Sequence, residues 1–117
     1  METLIEIKKR AAQGADVFEY VGELDETNAD KVFSKIYADV GKFENKKLLF
    51  NFSGLHYLNS KSLGYLADIY SNVEEGGGKM CITNCLPEVS DTLELVGITN
   101  IITTLPTEAE GLAYLAS

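Results

Sequence analysis

The chain has 117 residues, of which 45 % are hydrophobic and 24 % are charged, a composition typical of one soluble domain whose core needs neither disulfides nor metal. Its net charge of −8 disfavours nucleic acid and anionic lipid as partners, because like charges repel. No apolar run approaches the roughly 20 residues of a membrane span, and no signal peptide is evident, so we expect a cytoplasmic protein without membrane insertion.

The N-terminal residues predict a β-hairpin. Residues 3–9 (TLIEIKK) and residues 16–21 (DVFEYV) alternate between apolar and polar side chains, as half-buried strands do. Residues 10–15 between them include Gly14, which tolerates the positive φ of a tight turn. The two strands are therefore expected to pair.

The next segment predicts an amphipathic helix. Thr27 and Asp30 have the spacing of a capping box. Apolar residues then recur three or four positions apart, as a single buried helix face requires: Ala29, Val32, Phe33, Ile36, Tyr37, Val40 and Phe43.

A dense apolar strand over residues 48–52 is followed by a second helix, which Asn59 or Ser60 is expected to cap. Three glycines end this helix, and Gly76 is the expected C-terminal cap. The predicted inward stripe of the helix comprises Leu63, Leu66, Ala67, Tyr70 and Val73.

Two further strand–helix units complete the chain. A strand over residues 80–83 precedes a helix that begins at Pro87. A short strand at residues 100–105 precedes a final helix, in which Thr107 and Glu110 have capping-box spacing. The third helix is expected to turn Val89, Leu93 and Val96 inward.

The resulting order, β-β-α-β-α-β-α-β-α, predicts one α/β domain over residues 1–117. Helices that alternate with strands imply right-handed crossovers and parallel neighbours. We expect a mixed, mainly parallel sheet of four to five strands with about four helices and an opening β-hairpin.

Motifs of enzyme chemistry are absent from the sequence. The GGGK at residues 76–79 lacks the first glycine and the Ser/Thr of a phosphate loop, and neither G-x-G-x-x-G nor G-x-S-x-G occurs. A Ser–His pair would have to use His56, four residues before Ser60, but no third group is evident to orient the histidine. Cys81 and Cys85, with a single histidine, are too few for zinc. We therefore expect no catalysis, cofactor or metal.

Acidic residues cluster where the first helix is expected to start: Glu23, Asp25, Glu26 and Asp30. Negative charge is favourable at a helix N-terminus, which accounts for Asp30 structurally. Glu23 and Asp25 remain open as contacts for a basic partner.

Three segments of the chain carry motifs in a characteristic order. The first is VGELDETNADKVFSKI at residues 21–36, which enters the first helix. The second is LLFNFSGLHYLNSKSLGYLADIY at residues 48–70, a strand followed by a helix start. The third is GGGKMCITNCLPEVSDTLELVGITNII at residues 76–102. In order and spacing these segments resemble STAS domains over essentially the whole chain, which is similar to bacterial anti-sigma factor antagonists.

The resemblance implies a phosphorylation switch at the start of the second helix. In such proteins one serine there is phosphorylated by an anti-sigma factor that is also a serine kinase, and a metal-dependent serine phosphatase resets it. The unphosphorylated form binds the anti-sigma factor. The family's D-S-[ST]-G-[LIV]-G pattern falls on residues 59–64, which places the switch at Ser60, with Ser62 as an alternative acceptor.

Three residues depart from that pattern, because Asn59, Lys61 and Ser62 stand in place of Asp, Ser/Thr and Gly. The departures leave open a STAS scaffold or transporter-associated subunit that is not phosphorylated. A small-ligand or nucleotide sensor of the same fold and an enzyme using Ser60 and His56 are lower-ranked alternatives. The predicted partner-binding residues, near the carboxyl ends of parallel strands, are Asn59, Ser60, Lys61, Ser62, His56, Tyr57, Glu23 and Asp25.

Overall fold

The computed structural model describes residues 1–117 and contains five strands and four α-helices, with a short 3-10 turn at Ile98–Asn100. In chain order the elements are β1 (Ile5–Ala12), β2 (Ala15–Leu24), α1 (Ala29–Val40), β3 (Lys47–Leu58), α2 (Ser60–Glu75), β4 (Lys79–Thr83), α3 (Pro87–Leu95), β5 (Thr103–Leu105) and α4 (Glu108–Ala116).

The opening hairpin turns over two residues, which is tighter than the sequence predicts. Gln13 and Gly14 have φ values of 50° and 80°, and positive φ at both central positions is the geometry of a type I′ turn. Ala12 therefore pairs directly with Ala15. The strand twist that this turn favours carries β1 and β2 into one continuous ladder.

The five strands form one sheet in the order β1-β2-β3-β4-β5. β1 is antiparallel to β2, and every other neighbouring pair is parallel. The predicted mixed, mainly parallel sheet is confirmed, as are the four helices.

Helices cover both faces of the sheet. One face carries the larger core, where side chains of α1, α2 and α3 pack against strand residues such as Phe18, Phe50 and Ile82. The other face carries α4, whose Leu112 and Leu115 pack with Val17, Leu49 and Cys81. Because both faces of the central strands are buried, those strands read as nearly continuous apolar runs.

Two local predictions are wrong, one at the start of α1 and one at the end of α3. Thr27 does not cap α1: its hydroxyl donates to Asp25 Oδ1 at 2.6 Å, and the N-cap residue, Asn28, makes no side-chain cap bond. Val96 is not inward: α3 ends at Leu95, and Val96 is 54 % exposed. The N-cap of α1 lies one residue after the predicted Thr27, and α3 ends one residue before Val96.

The last helix begins as predicted. Thr107 is its N-cap, and the Thr107 hydroxyl accepts from the backbone N–H of Glu110 at 3.2 Å. None of the helices is both long enough and apolar enough to cross a membrane.

Candidate functional site

The candidate site lies where β2 and β3 end and α2 begins. Glu23 lies opposite Tyr57 in the parallel ladder, and Leu24 lies opposite Leu58. The backbone N–H of Asn59 then donates to the carbonyl of Leu24 at 3.0 Å. The carboxyl ends of two neighbouring strands thus fix the first residue of α2, as expected for sites in open α/β sheets.

Asn59 caps α2. Its Oδ1 accepts from the backbone N–H of Ser62 at 3.0 Å and from the Ser62 hydroxyl at 2.7 Å. The sequence left Asn59 and Ser60 as alternatives for this role, and the contacts assign it to Asn59. Ser60 is the first residue of the helix, is exposed, and its hydroxyl has no partner in the chain.

Ser60 and Ser62 have opposite environments. Ser62 is fully buried, with its hydroxyl committed to Asn59, whereas Ser60 faces solvent. Of the two hydroxyls, only that of Ser60 is accessible from solvent. Ser62 occupies the interior of the helix start, where the family pattern has glycine.

Lys61 is held by a residue of α1. Its Nζ lies 2.9 Å from the carboxylate of Asp30, and the Tyr65 hydroxyl donates to the same carboxylate at 2.6 Å. These two donors, the tyrosine first, lower the pKa of Asp30, and Asp30 in turn raises the pKa of Lys61. Lys61 therefore points across to α1, and Asp30 does more than favour the helix dipole.

Asp25 and Glu23 differ in how many contacts their carboxylates make within the chain. The carboxylate of Asp25 accepts from the hydroxyls of Thr3 and Thr27 and from the backbone N–H of Thr27, and the hydroxyl of Thr27 and then that of Thr3 lower its pKa most. Asp25 therefore orders the turn before α1. Glu23 is exposed and forms no ion pair, so it is the freer of the two for a partner.

His56 and Tyr57 lie in β3 itself and not in a loop after it, since the strand extends to Leu58. Tyr57 is 51 % exposed. His56 Nδ1 lies 3.5 Å from Glu88 Oε1, with side chains that are 61 % and 54 % exposed. Sequence patterns could not identify Glu88 as a neighbour of His56, because the contact joins β3 to α3, which are distant in the chain.

Neither cysteine is among the side chains that form this site. Cys81 is buried under α4, and its Sγ donates to the carbonyl of Gly111 at 3.8 Å. Burial raises the pKa of Cys81 to about 12 and that of Cys85 to about 11, so both thiols are protonated at neutral pH. No group of three His, Cys, Asp or Glu side chains is placed to hold a metal ion.

Comparison with known proteins identifies the fold. A crystal structure of an anti-sigma factor antagonist from Mycobacterium paratuberculosis superposes with a TM-score of 0.87 at 22 % identity, covering 97 % of this chain and 96 % of that one. The structure of the Bacillus cell fate determinant SpoIIAA in its phosphorylated form superposes with a TM-score of 0.69 at 18 % identity, covering 93 % and 98 %.

Sequence comparison agrees with the structural comparison. The anti-sigma F factor antagonist of Paenibacillus polymyxa is 22 % identical over 111 residues, which is 95 % of each chain. The model of the STAS domain matches residues 6–111, nearly the full length. The chain belongs to the STAS domain family.

Proposed function

We propose that the chain is an anti-sigma factor antagonist that binds its anti-sigma factor through the start of α2 and is switched by phosphorylation of Ser60. The anti-sigma factor is the serine kinase, and a serine phosphatase restores the binding form. The observation that carries this proposal is the exposed Ser60 hydroxyl at the first position of α2, which Asn59 relieves of any capping role.

The helix start is chemically suited to carry a phosphate. The first N–H groups of a helix have no acceptor within the helix, and Asn59 takes only that of Ser62. The positive end of the helix dipole therefore tolerates an anion at Ser60. Because Ser60 is exposed and unbonded, modification breaks no existing contact, and the domain is expected to stay folded.

The effect of the phosphate is therefore expected at the interface. Phosphorylation adds about −1.5 to −2 charges at neutral pH. Like charges brought together across an interface cost several kcal/mol, which is enough to weaken binding a hundredfold or more. Lys61 offers little screening while its ammonium group is held by Asp30.

The surface around Ser60 supports protein binding. Exposed Tyr57 lies beside exposed Glu23 at the end of the strands, and Asn59 and Lys61 flank the serine. Aromatic side chains with a polar end are enriched at interfaces. We assign the anti-sigma factor to this surface, with His56 at its margin.

The test is affinity capture from a lysate of the source cells, with bound proteins identified by mass spectrometry. Four baits are compared: the wild type, Ser60→Ala, Ser60→Asp and Ser71→Asp. Ser71 is exposed on the same helix, about 16 Å further along its axis, so Ser71→Asp adds the same charge to α2 away from the proposed surface.

The proposal predicts that an anti-sigma factor with a kinase domain is captured by the wild type, Ser60→Ala and Ser71→Asp, and is lost only with Ser60→Asp. Capture of that partner by all four baits contradicts the switch and favours a constitutive binding module. Capture of a membrane transporter in its place favours the transporter-associated alternative. Binding lost equally in both aspartate variants indicates a general charge effect.

A further inference from the structure

A groove runs between the edge strand β1 and helix α1, on the side of the molecule away from α3. Its volume is about 420 Å³, within the usual range for small-molecule sites. The floor is apolar and is formed by Ile5 and Ile7 of β1 and by Val32 and Ile36 of α1. From Ile5 to the end of the groove at Lys9 the strand spans about 13 Å.

The wall of the groove is basic in a strongly acidic protein. Three of the ten cationic side chains of the chain line it, together with two acids. Lys31 lies 3.5 Å from Glu2, and the Nζ of Lys9 donates to the carbonyl of Asp39 at 3.2 Å.

Lys35 is the one cation of the groove whose ammonium group makes no polar contact within the chain. Its ammonium group is in no ion pair or side-chain hydrogen bond, and it lies one helical turn from Lys31 and Asp39. The methylene groups of a lysine side chain also add apolar surface, while its ammonium group stays in water. The groove thus combines an apolar floor with a free positive charge at its rim.

We propose that this groove binds a single-chain fatty acid of medium length, with the alkyl chain on the isoleucine floor and the carboxylate at Lys35. Carbon–carbon bonds of about 1.5 Å in a zigzag let a chain of about ten carbon atoms fill the 13 Å span. The net positive lining selects a carboxylate over an uncharged head group.

A second copy of the chain is a poor occupant of this edge. β1 carries Lys8, Lys9 and Arg10 in succession, and an antiparallel copy on the same edge would bring these cations close to one another. Lysines on edge strands are a common means of preventing such pairing. The cationic side chains of β1 that disfavour pairing with a second strand do not exclude a small anionic ligand.

The experiment is a titration of the isotope-labelled full chain with decanoate, followed by amide chemical shifts in two-dimensional NMR. Decyl alcohol provides the same chain without the charge, and acetate the charge without the chain. Lys35→Glu is compared with Lys42→Glu, a matched charge reversal at an exposed lysine just beyond α1 that does not line the groove.

Saturable shifts confined to β1 and α1 are expected with decanoate, with at least tenfold weaker binding of decyl alcohol and none of acetate. Lys35→Glu should weaken decanoate binding at least tenfold, and Lys42→Glu by less than twofold. The proposal is overturned by the absence of saturable shifts, by equal binding of decyl alcohol, by equal losses in the two variants, or by shifts spread through the core.

Discussion

Asn59 holds Ser62 at two points, accepting its backbone N–H at 3.0 Å and its hydroxyl at 2.7 Å. One side chain thereby caps α2 and satisfies a fully buried hydroxyl. The same arrangement leaves Ser60 without a structural task. The cap at Asn59 is thus separate from the switch proposed at Ser60, and the structural half of this division can be tested by stability alone.

Asn59→Ala should lower the free energy of unfolding by about 2–3 kcal/mol. About 1 kcal/mol comes from the lost cap, and the remainder comes from leaving the Ser62 hydroxyl buried without a partner. Asn59→Asp keeps the acceptor and should cost little. The measurement is urea unfolding followed by circular dichroism.

Ser60→Ala is the control for that series and should change the free energy of unfolding by less than about 0.5 kcal/mol, as exposed substitutions usually do. A loss in Ser60→Ala as large as that in Asn59→Ala would show that Ser60 also supports the helix start.

Two helical glycines should respond oppositely to alanine. Glycine weakens a helix by about 1 kcal/mol relative to alanine, and nothing lies within 4 Å of a Cβ built at Gly64, so Gly64→Ala should stabilise. At Gly111 the added Cβ would lie 2.5 Å from Thr83 Cγ2 and 2.8 Å from Leu49 Cδ1. Gly111→Ala should therefore destabilise, by about 1–3 kcal/mol.

Thermal unfolding of the two glycine variants and the wild type shows whether helix propensity or close packing determines the effect of each added methyl group. If Gly111→Ala raises the melting temperature as Gly64→Ala does, α4 is not packed against the sheet as closely as described.

The contact between Glu108 and Arg10 should make stability depend on pH. The Arg10 side chain, which also pairs with Glu19 at 2.8 Å, donates to Glu108 and lowers the pKa of Glu108 below its ordinary value of 4.5. A carboxyl whose pKa is lowered on folding contributes stability above its unfolded pKa, and the contribution is lost as the pH falls through the folded pKa.

The wild type should therefore exceed Glu108→Gln in melting temperature at pH 7, and the difference should shrink steadily below about pH 4.5. Because Arg10 is 41 % exposed, the contribution should stay below about 1 kcal/mol. Glu94→Gln, which removes the same charge from an exposed position of α3, should show no such convergence. A difference that grows on acidification would have the wrong sign for this account.

The carboxylate of Asp30 should report on the residues beside the switch. The Tyr65 hydroxyl and the Lys61 ammonium group both lower the pKa of Asp30. Tyr65→Phe and Lys61→Gln should therefore each move the Asp30 pKa toward its ordinary value of 3.8. Carbon-detected NMR titration of the side-chain carboxyl measures both shifts, and an unchanged pKa in either variant would mean that the replaced side chain does not contact Asp30.

The fold could be predicted because its signals are local. Alternation gives the strands, three- and four-residue spacing gives the helices, and their order gives the parallel sheet. The cap of α4 at Thr107 was found for the same reason. Predictions failed where the end of a helix decides the outcome: Val96 has the spacing of an inward residue, but α3 has already ended at Leu95.

A candidate site could be proposed from the sequence, but its contacts could not be derived. The motif locates residues 59–64, yet nothing in the letters NSKS says which serine is buried, because that depends on the direction of the first helical turn. The pairing of Lys61 with Asp30 spans 31 residues, and that of His56 with Glu88 joins two different elements. Such pairs follow from the packing of helices, which local patterns do not encode.

The most direct test of the central claim is the affinity of the purified anti-sigma factor, once captured, for the Ser60 variants, measured by titration calorimetry. The account predicts that Ser60→Ala binds like the wild type, that Ser71→Asp binds within about threefold, and that Ser60→Asp binds at least a hundredfold more weakly, a loss of about 2.7 kcal/mol or more. Equal affinity of Ser60→Asp and the wild type would contradict the assignment of the switch to Ser60.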